Sequence, residues 1–211
     1  MNLYFAPLAC SMATRIAFYE AGATAEYTQV DTRTKRAIDG SDFFAINPLG
    51  QVPALRTDEG WLLTENTAIL PYVADHFPQA ELAPAAGTVE RARLQQWLGF
   101  IGTELHKAGF VPLLVSSAPE GAKAFARDKL NLRMEMLQSH LSQHEFLLDH
   151  FTVADAYLVT VLNWAPASGV DLAAWPAIAA YVERMKQRPS VATALNEEMA
   201  LYQEEQRRRT A

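Results

Sequence analysis

The sequence predicts an α/β domain over residues 1–80 followed by an all-helical domain over residues 88–211. Short apolar strands occur only in the first part, where they alternate with amphipathic helices. A stretch rich in proline and alanine, 77–87, separates the two parts and is typical of a linker. Beyond it, apolar residues recur at helical spacing and no strand pattern appears. These three observations favour two structurally different domains.

The first domain begins with a strand, a turn and a helix. Residues 3–5 form a short apolar strand, and 7–10 form the turn. The helix over 11–21 has apolar residues on one face, and Gly22 is a suitable residue to end it. A second strand follows at 27–30. We expect the polar stretch 35–42 to be a loop.

A hairpin and a second helix complete this domain. The strands 52–56 and 61–63 flank a turn signal, Thr57-Asp58-Glu59-Gly60. Pro53 suits the beginning of a strand because it has no N–H to donate, and it readily accepts a cis peptide bond. Asn66 takes the N-cap position of the helix. The order β-α-β-β-β-α is that of a thioredoxin-like domain.

Five helices are predicted for the second domain. The first, 88–115, contains three glycines and a proline, which predict a bend in its second half. Residues 117–120 resemble a capping box for the next helix, whose buried stripe recurs at i, i+4, i+7 and i+11: Leu130, Met134, Leu137 and Leu141. Thr152 and Asp155 form a second capping pair, for which we expect a structural role. The last two helices begin near 175 and after 190.

Composition excludes several classes of function. The net charge of −6 gives no indication of nucleic acid or an anionic membrane as partner. A single cysteine cannot form an intrachain disulfide and favours a reducing compartment, so we expect a cytoplasmic protein. There is no signal-peptide pattern, no apolar run of about 20 residues, no Cys/His spacing typical of a metal site and no glycine-rich phosphate loop.

Cys10 and Ser11 are the first candidates for chemistry. They stand at the beginning of the first helix, where free N–H groups and the helix dipole lower the pKa of a thiol. The alternative for Cys10 is a small buried hydrophobic residue. Ser11 is either an N-cap or a hydrogen-bond donor to a bound sulfur atom.

Two further candidates, Glu65 and Asn66, lie where a strand ends and a helix begins. An exposed strand edge at Val52 beside a helix N-terminus could hold an extended peptide by its backbone and its carboxylate. The alternative is an asparagine cap next to an acid in the first turn.

Several of these motifs resemble the glutathione transferases, most closely the bacterial beta class. They are INPLGQVPAL at 46–55, LTENTAI at 63–69, Cys10 and FTVADAY at 151–157. The resemblance covers about residues 1–195. It implies a thioredoxin-like domain with a helical bundle, a homodimer, an active site in the cleft between the domains, and glutathione as cosubstrate without a metal.

The resemblance also implies roles for individual residues. Glu65 would bind the ammonium of the γ-glutamyl end, and Asn66 with the helix N–H groups its carboxylate. Val52, between Gln51 and Pro53, would bind through its backbone, and Lys35 either pairs with the glycyl carboxylate or is a solvated lysine. His106 would approach the sulfur atom. The remaining positions implied to contact glutathione or the substrate are Thr103, Glu104, Lys107, Phe110 and Trp164.

This chain departs from the family pattern at several positions. Asn66 replaces the more usual serine or glycine. One residue, Ala108, is inserted in the usual HKGF motif. Gly99 and Ala167 stand where beta-class members have Asn and, in some, His, which removes polar groups near the thiol. Leu148 stands where glycine is usual.

Two chemistries follow from this resemblance. Hydrogen bonds could stabilise a glutathione thiolate that attacks an electrophilic carbon of a hydrophobic compound. Alternatively, the Cys10 thiolate could form a mixed disulfide with glutathione, giving thiol–disulfide exchange. A third possibility is a non-catalytic protein that uses the same fold to bind ligands or other proteins.

Overall fold

The computed structural model describes residues 1–210, which form two compact units. The first contains Met1–Leu82 together with the last helix, and the second contains Ala83–Arg188. None of the helices in the described part of the chain is both long and apolar enough to cross a membrane.

A five-stranded sheet forms the centre of the first unit. Its strands are β1 (Asn2–Phe5), β2 (Glu26–Asp31), β3 (Arg36–Ala37), β4 (Ala54–Arg56) and β5 (Leu62–Thr64). They lie in the order β3-β2-β1-β4-β5. β1 and β2 are parallel and the other pairs antiparallel. The short β3 was predicted as loop, because two residues carry no period that a sequence pattern could reveal.

Two helices pack with this sheet, α1 (Met12–Glu20) and α2 (Asn66–His76). α1 contacts β1, α2 contacts β5, and the two helices contact each other. Leu3, Ile16, Leu55 and Ile69 are fully buried. The mixed sheet with its helices confirms the predicted thioredoxin-like domain.

The last helix, α9 (Pro189–Thr210), packs against α1. The sequence placed residues 88–211 together in the helical domain, whereas by packing this helix lies with the first unit. Arg15 on α1 links these two helices. Its guanidinium lies between the rings of Phe5 and Tyr27, at 4.3 and 4.2 Å, and forms ion pairs with carboxylates of α9.

The second unit is entirely helical. Its regular helices are α3 (Val89–Phe100), α4 (Val111–Leu114), α5 (Glu120–Leu141), α6 (Val153–Leu162), α7 (Ala165–Ser168) and α8 (Pro176–Lys186). A π-helical segment, Ile101–Phe110, joins α3 to α4. Short 3-10 turns complete the chain at Phe43–Ala45, Pro78–Ala80 and Leu172–Ala174.

The π-helical segment lies in the predicted bend and contains the inserted Ala108. A π turn closes its hydrogen bonds over one more residue than an α turn, so it can accommodate an insertion without interrupting the helix. Gly109 also lets this segment approach α5, because a Cβ there would lie 2.9 Å from the Leu130 side chain. Gly109 therefore serves the packing of this segment, and the predicted bend stays a prediction.

One predicted cap is confirmed and one is wrong. Thr152 accepts from the Ala154 N–H, and Asp155 accepts from the Thr152 N–H at 3.0 Å, which is a capping box. At α5 the N-cap is Pro119 in an extended conformation, without a side-chain cap. The predicted box at 117–120 does not form because the proline occupies the cap position.

Candidate active site

The loop between β1 and α1 carries Cys10 and is closed by Ser11. The Ser11 Oγ accepts from the Ala6 N–H at 3.2 Å and donates to the Ala6 carbonyl at 3.3 Å. Its side chain is fully buried and makes no cap with α1. Ser11 thus occupies the N-cap position of α1 without a side-chain cap and holds the loop together from inside, while its role toward a bound sulfur atom stays a prediction.

The Cys10 thiol is partly exposed at the beginning of α1. Its Sγ donates to the Val52 carbonyl at 3.2 Å. The Cys10 carbonyl accepts from the Ala13 N–H and from the Asn66 side chain. Three segments that are far apart in sequence therefore meet at this cysteine.

Asn66 is buried and connects α2 to the cysteine loop. Its Nδ2 donates to the Cys10 carbonyl at 2.9 Å, and its Oδ1 accepts from the Thr14 hydroxyl at 3.3 Å. Asn66 is the first residue of α2, and Glu65 takes the N-cap position. The predicted N-cap at Asn66 is wrong, because its amide bonds to the neighbouring loop instead of to its own helix.

Glu65 reaches the surface in an uncommon backbone conformation. Its φ of 66° is rare for a residue with a Cβ, and such outliers concentrate at functional sites. The side chain is exposed and stands next to buried Asn66. An acid and a helix N-terminus are thereby combined at the point where β5 meets α2.

The sequence places Val52 in a strand over 52–56, but β4 begins only at Ala54, so Val52 lies in the segment before it and its role as a binding edge stays a prediction. The Val52–Pro53 peptide bond is cis. The Asn47 side chain donates to the Gln51 carbonyl at 2.7 Å, and the Lys35 ammonium donates to the Gly50 carbonyl at 2.8 Å. These two side chains hold the loop that leads to Val52.

Sequence reasoning missed Glu198 on α9, which supports the cysteine loop. Its carboxylate accepts from the Leu8 N–H at 2.7 Å and lies 3.0 Å from the Arg15 Nε. Burial raises its pKa to about 7, although the Arg15 charge and the Leu8 hydrogen bond act in the opposite direction. The signal available in the sequence was an acid at i+7 on the buried stripe that begins with Val191 and Ala194.

In the second unit, His106 is buried beside two aromatic side chains. Its Nδ1 lies 2.7 Å from the Tyr157 hydroxyl, and its ring makes an edge contact with Trp164 at 4.9 Å. Burial, followed by the charge of Lys107, lowers the pKa of His106 to about 4. The imidazole is therefore neutral at pH 7, and it cannot act there as a cation.

Of the other candidate residues in this unit, some are buried or hydrogen-bonded within the protein and one is exposed at the surface. Phe110 is fully buried and belongs to the core, with its ring 6.3 Å from that of Trp164. Glu104 is paired with Arg133 at 2.8 Å, and the Thr103 hydroxyl donates to the Gly99 carbonyl at 2.9 Å. Lys107 is exposed. Across residues 1–210, no group of three His, Cys, Asp or Glu side chains could hold a metal ion.

Comparison with known families and proteins agrees with this geometry. Residues 1–75 match the model for the glutathione S-transferase N-terminal domain, and residues 61–189 match the model for the C-terminal domain. The chain is 42% identical over 199 residues to glutathione S-transferase GstA of Escherichia coli O157:H7, covering 94% of this chain and 98% of that protein.

Solved structures give the same result. A ternary complex of BphK, described as a bacterial GST, has a TM-score of 0.91 at 43% identity and covers 94% of this chain and 99% of its own. A sphingomonad glutathione S-transferase complexed with glutathione has a TM-score of 0.90 at 43% identity, with coverages of 94% and 98%. A beta-class enzyme from Sphingomonas chungbukensis has a TM-score of 0.90 at 44% identity and the same coverages.

Proposed function

This chain belongs to the glutathione S-transferase family and resembles its bacterial beta class, and from that premise we propose that it transfers glutathione through a mixed disulfide on Cys10. The observation that carries the proposal is the environment of Cys10. A partly exposed thiol stands at the beginning of α1, beside the backbone of Val52 and held by Asn66. Glutathione lies along the Val52 edge in this proposal, with its ammonium on Glu65.

The two steps of the proposed reaction balance with glutathione as the reductant. The Cys10 thiolate attacks the glutathione sulfur of a mixed disulfide R–S–SG, the S–S bond breaks, and RS⁻ leaves and takes a proton. A second glutathione thiolate then attacks the new Cys10–SG bond. That step releases oxidised glutathione and restores the Cys10 thiolate, so the net reaction is R–S–SG + GSH → RSH + GSSG, and the proton that RS⁻ takes is the one lost by the free glutathione.

Conjugation to hydrophobic electrophiles is the accompanying activity, and we propose that it is the weaker one. Conjugation depends on hydrogen-bond donors that stabilise the thiolate of glutathione itself. The side chain of Asn66 is already bonded to Cys10 and Thr14, and that of Ser11 is bonded to Ala6. Neither of these two side chains near Cys10 is therefore left to donate to the sulfur atom of bound glutathione.

The Cys10→Ala variant tests this assignment. We expect reduction of a glutathione mixed disulfide to fall more than about 100-fold, while conjugation of an aryl halide changes less than about threefold. Cys10→Ser is the matched control, since it keeps a hydroxyl that can donate to Val52. If conjugation collapses and exchange survives, the two roles are reversed. If neither activity is present although immobilised glutathione retains the protein, the chain is a binding protein.

We also propose a homodimer, supported by an apolar stripe on α5. Phe125, Leu132 and Met136 recur at i, i+7 and i+11 and are 65%, 64% and 44% exposed. Large apolar side chains exposed along one face of a helix are typical of protein interfaces. Leu132→Glu should yield a monomer by light scattering, whereas the control Leu114→Glu, on the exposed side of α4, should remain dimeric. A dimeric Leu132→Glu variant would rule out this face.

The compartment that suits this chemistry is the cytoplasm. The single cysteine must remain reduced to attack a disulfide, and glutathione must be available as the reductant. Detoxification of electrophiles and repair of glutathione mixed disulfides are both compatible with this assignment.

A further inference from the structure

One nitrogen of the His106 ring, Nδ1, has a buried hydrogen-bond partner, and this partner determines what the ring can do. Nδ1 lies 2.7 Å from the Tyr157 hydroxyl, and the two rings meet edge to face at 5.9 Å and 88°. His106 and Tyr157 are only 6% and 3% exposed. A hydrogen bond between two buried, packed rings fixes the orientation of both.

The protonation state of the ring narrows the possibilities to two tautomers. Burial lowers the pKa of His106 to about 4, so the ring is neutral at the pH at which glutathione chemistry proceeds. A neutral imidazole carries one N–H, on either Nδ1 or Nε2, and the hydrogen bond at one nitrogen sets the role of the other.

The partner of Nδ1 decides between these tautomers. A phenol is a stronger acid than the N–H of a neutral imidazole, so the stronger hydrogen bond is the one in which Tyr157 donates and Nδ1 accepts. We propose that Tyr157 is a positioning residue that holds neutral His106 in the Nε2–H tautomer. His106 then offers an N–H donor and is neither a general base nor a cation. This inference rests on the proposed glutathione chemistry only for its catalytic consequence.

The surrounding side chains keep the ring in this orientation. Trp164 packs against the imidazole with an interplanar angle of 64°, and the Trp164 ring in turn contacts Phe110. His106 lies in the π-helical segment, whose wider turn is a common feature of functional sites. Rotation of the ring about χ2 would break the Tyr157 bond and disturb these contacts.

The expected consequence is a donor available to a sulfur anion. An Nε2–H can stabilise a thiolate by hydrogen bonding at any pH well above that at which the ring is protonated. Activity should therefore show no inflection near 6.5, the usual pKa of histidine, that is absent from His106→Gln. A His106 that kept its usual pKa and acted as a general base or a cation would produce such a difference.

Long-range proton–nitrogen NMR on uniformly ¹⁵N-labelled protein tests the tautomer directly. The wild-type protein should show His106 Nε2 protonated and Nδ1 unprotonated from pH 6 to 8. In Tyr157→Phe the two ¹⁵N shifts should move toward each other, because the bias is lost. A protonated Nδ1 in the wild type, or shifts that Tyr157→Phe leaves unchanged, would overturn the assignment. This measurement does not depend on any activity.

Kinetics test the role of the tautomer. Tyr157→Phe should lower kcat for exchange about 5- to 20-fold and change KM for glutathione less than about twofold, since it removes orientation and not substrate binding. His106→Gln places an amide N–H near the position of Nε2 and should retain activity within about threefold. His106→Asn places its amide near Nδ1 and should lose about as much as Tyr157→Phe.

The double variant separates positioning from a general loss of structure. In the His106→Gln background, Tyr157→Phe should cause no further loss, because the amide needs no tautomer. An equal loss in both backgrounds would show that Tyr157 acts only through stability. If Cys10→Ala abolishes exchange but His106→Asn does not alter it, the positioning role fails while the proposed function stands.

Discussion

At the scale of single residues, the Asn66 side chain has a different role in the structure from the one that its residue type and position predict. An asparagine at the beginning of a helix predicts a cap. In the structure its amide is buried and forms hydrogen bonds to the Cys10 carbonyl and the Thr14 hydroxyl. The residue therefore fixes the position of the cysteine, and its binding of a ligand carboxylate stays a prediction.

The nearly isosteric Asn66→Asp variant tests this role. It replaces the donor to the Cys10 carbonyl by an oxygen, so that two acceptors face each other in a buried place. We expect the free energy of unfolding in urea to fall by about 2–3 kcal/mol. The control Thr67→Ala, at the exposed neighbouring position, should change it by less than about 0.5 kcal/mol. Equal stability of Asn66→Asp and the wild type would contradict the observed hydrogen bonds.

Glu65 and Cys10 should differ in their contribution to glutathione binding. Glu65→Ala removes a charge-assisted partner of the ammonium, worth about 1.5–3 kcal/mol, or about 10- to 150-fold in affinity. The thiol offers only a weaker hydrogen bond, so Cys10→Ala should weaken binding less. Calorimetric titration under reducing conditions measures both without a covalent adduct. An unchanged affinity for Glu65→Ala would mean that glutathione does not lie beside this acid.

At the scale of elements, the segment Ile101–Phe110 carries the main departure from the family pattern. The resemblance implies HKGF where this chain has His106-Lys107-Ala108-Gly109-Phe110, and the segment forms π turns. His106 and Phe110, on either side of Ala108, are 6% and 0% exposed. The π turns are thus compatible with buried side chains on both sides of Ala108.

Deletion of Ala108 should therefore be tolerated. The segment can return to α-helical hydrogen bonding while the flanking side chains stay in place, so we expect the free energy of unfolding to change by less than about 1 kcal/mol. Deletion of exposed Gln95 from α3 is the matched control. There, every following residue would rotate by about 100° around the helix, and we expect a loss of more than about 3 kcal/mol. Circular dichroism in urea compares the two, and similar losses would show that the π turns are needed.

At the scale of the whole molecule, local sequence patterns predicted most of the helices and strands. They did not predict the contacts between residues that are far apart in the sequence. The stripe from Leu130 to Leu141 and the box of Thr152 with Asp155 are encoded within a few residues, and both are confirmed. The support of the cysteine loop by Glu198 joins positions 190 residues apart in the chain. No period or motif can express such a pairing, because it depends on where α9 packs.

At the candidate site, too, the sequence predicted some features and could not predict others. The sequence predicted Cys10, the Val52 edge and Glu65 because turn, strand and helix signals converge there. It could not predict that Ser11 would close the loop from inside, or that His106 would be neutral. Burial decides both outcomes, and burial is a property of the assembled fold. The resemblance to a family supplies positions, while the electrostatic state of each position has to come from the structure.

Glu198 links the packing of α9 to a dependence of stability on pH. Its pKa of about 7 lies above the ordinary value of 4.5. Between these two values the folded protein binds this proton more tightly than the unfolded chain does. The contribution of Glu198 to stability is therefore fully present below about pH 4.5 and is lost as the pH rises through 7. The charged groups that act on it are Arg15 and Glu197, and these in turn contact the titratable side chains of Tyr27 and Tyr19.

Glu198→Gln should remove this dependence. The amide oxygen can still accept from the Leu8 N–H, but the group no longer titrates. From pH 5 to 8, we expect the stability of the wild type to fall relative to that of the variant by about 2–4 kcal/mol.

His106, whose pKa is lowered, contributes with the opposite sign, because its effect on stability rises with pH. That contribution is common to both proteins, and the difference between their urea-unfolding curves cancels it. Glu197→Gln is the control, since this carboxylate also contacts Arg15 but is 47% exposed. The contradicting outcome is a stability difference between the wild type and Glu198→Gln that is as independent of pH, from 5 to 8, as the difference between the wild type and Glu197→Gln. That result would mean that Glu198 is ionised throughout and that the Arg15 charge outweighs the burial of the carboxylate.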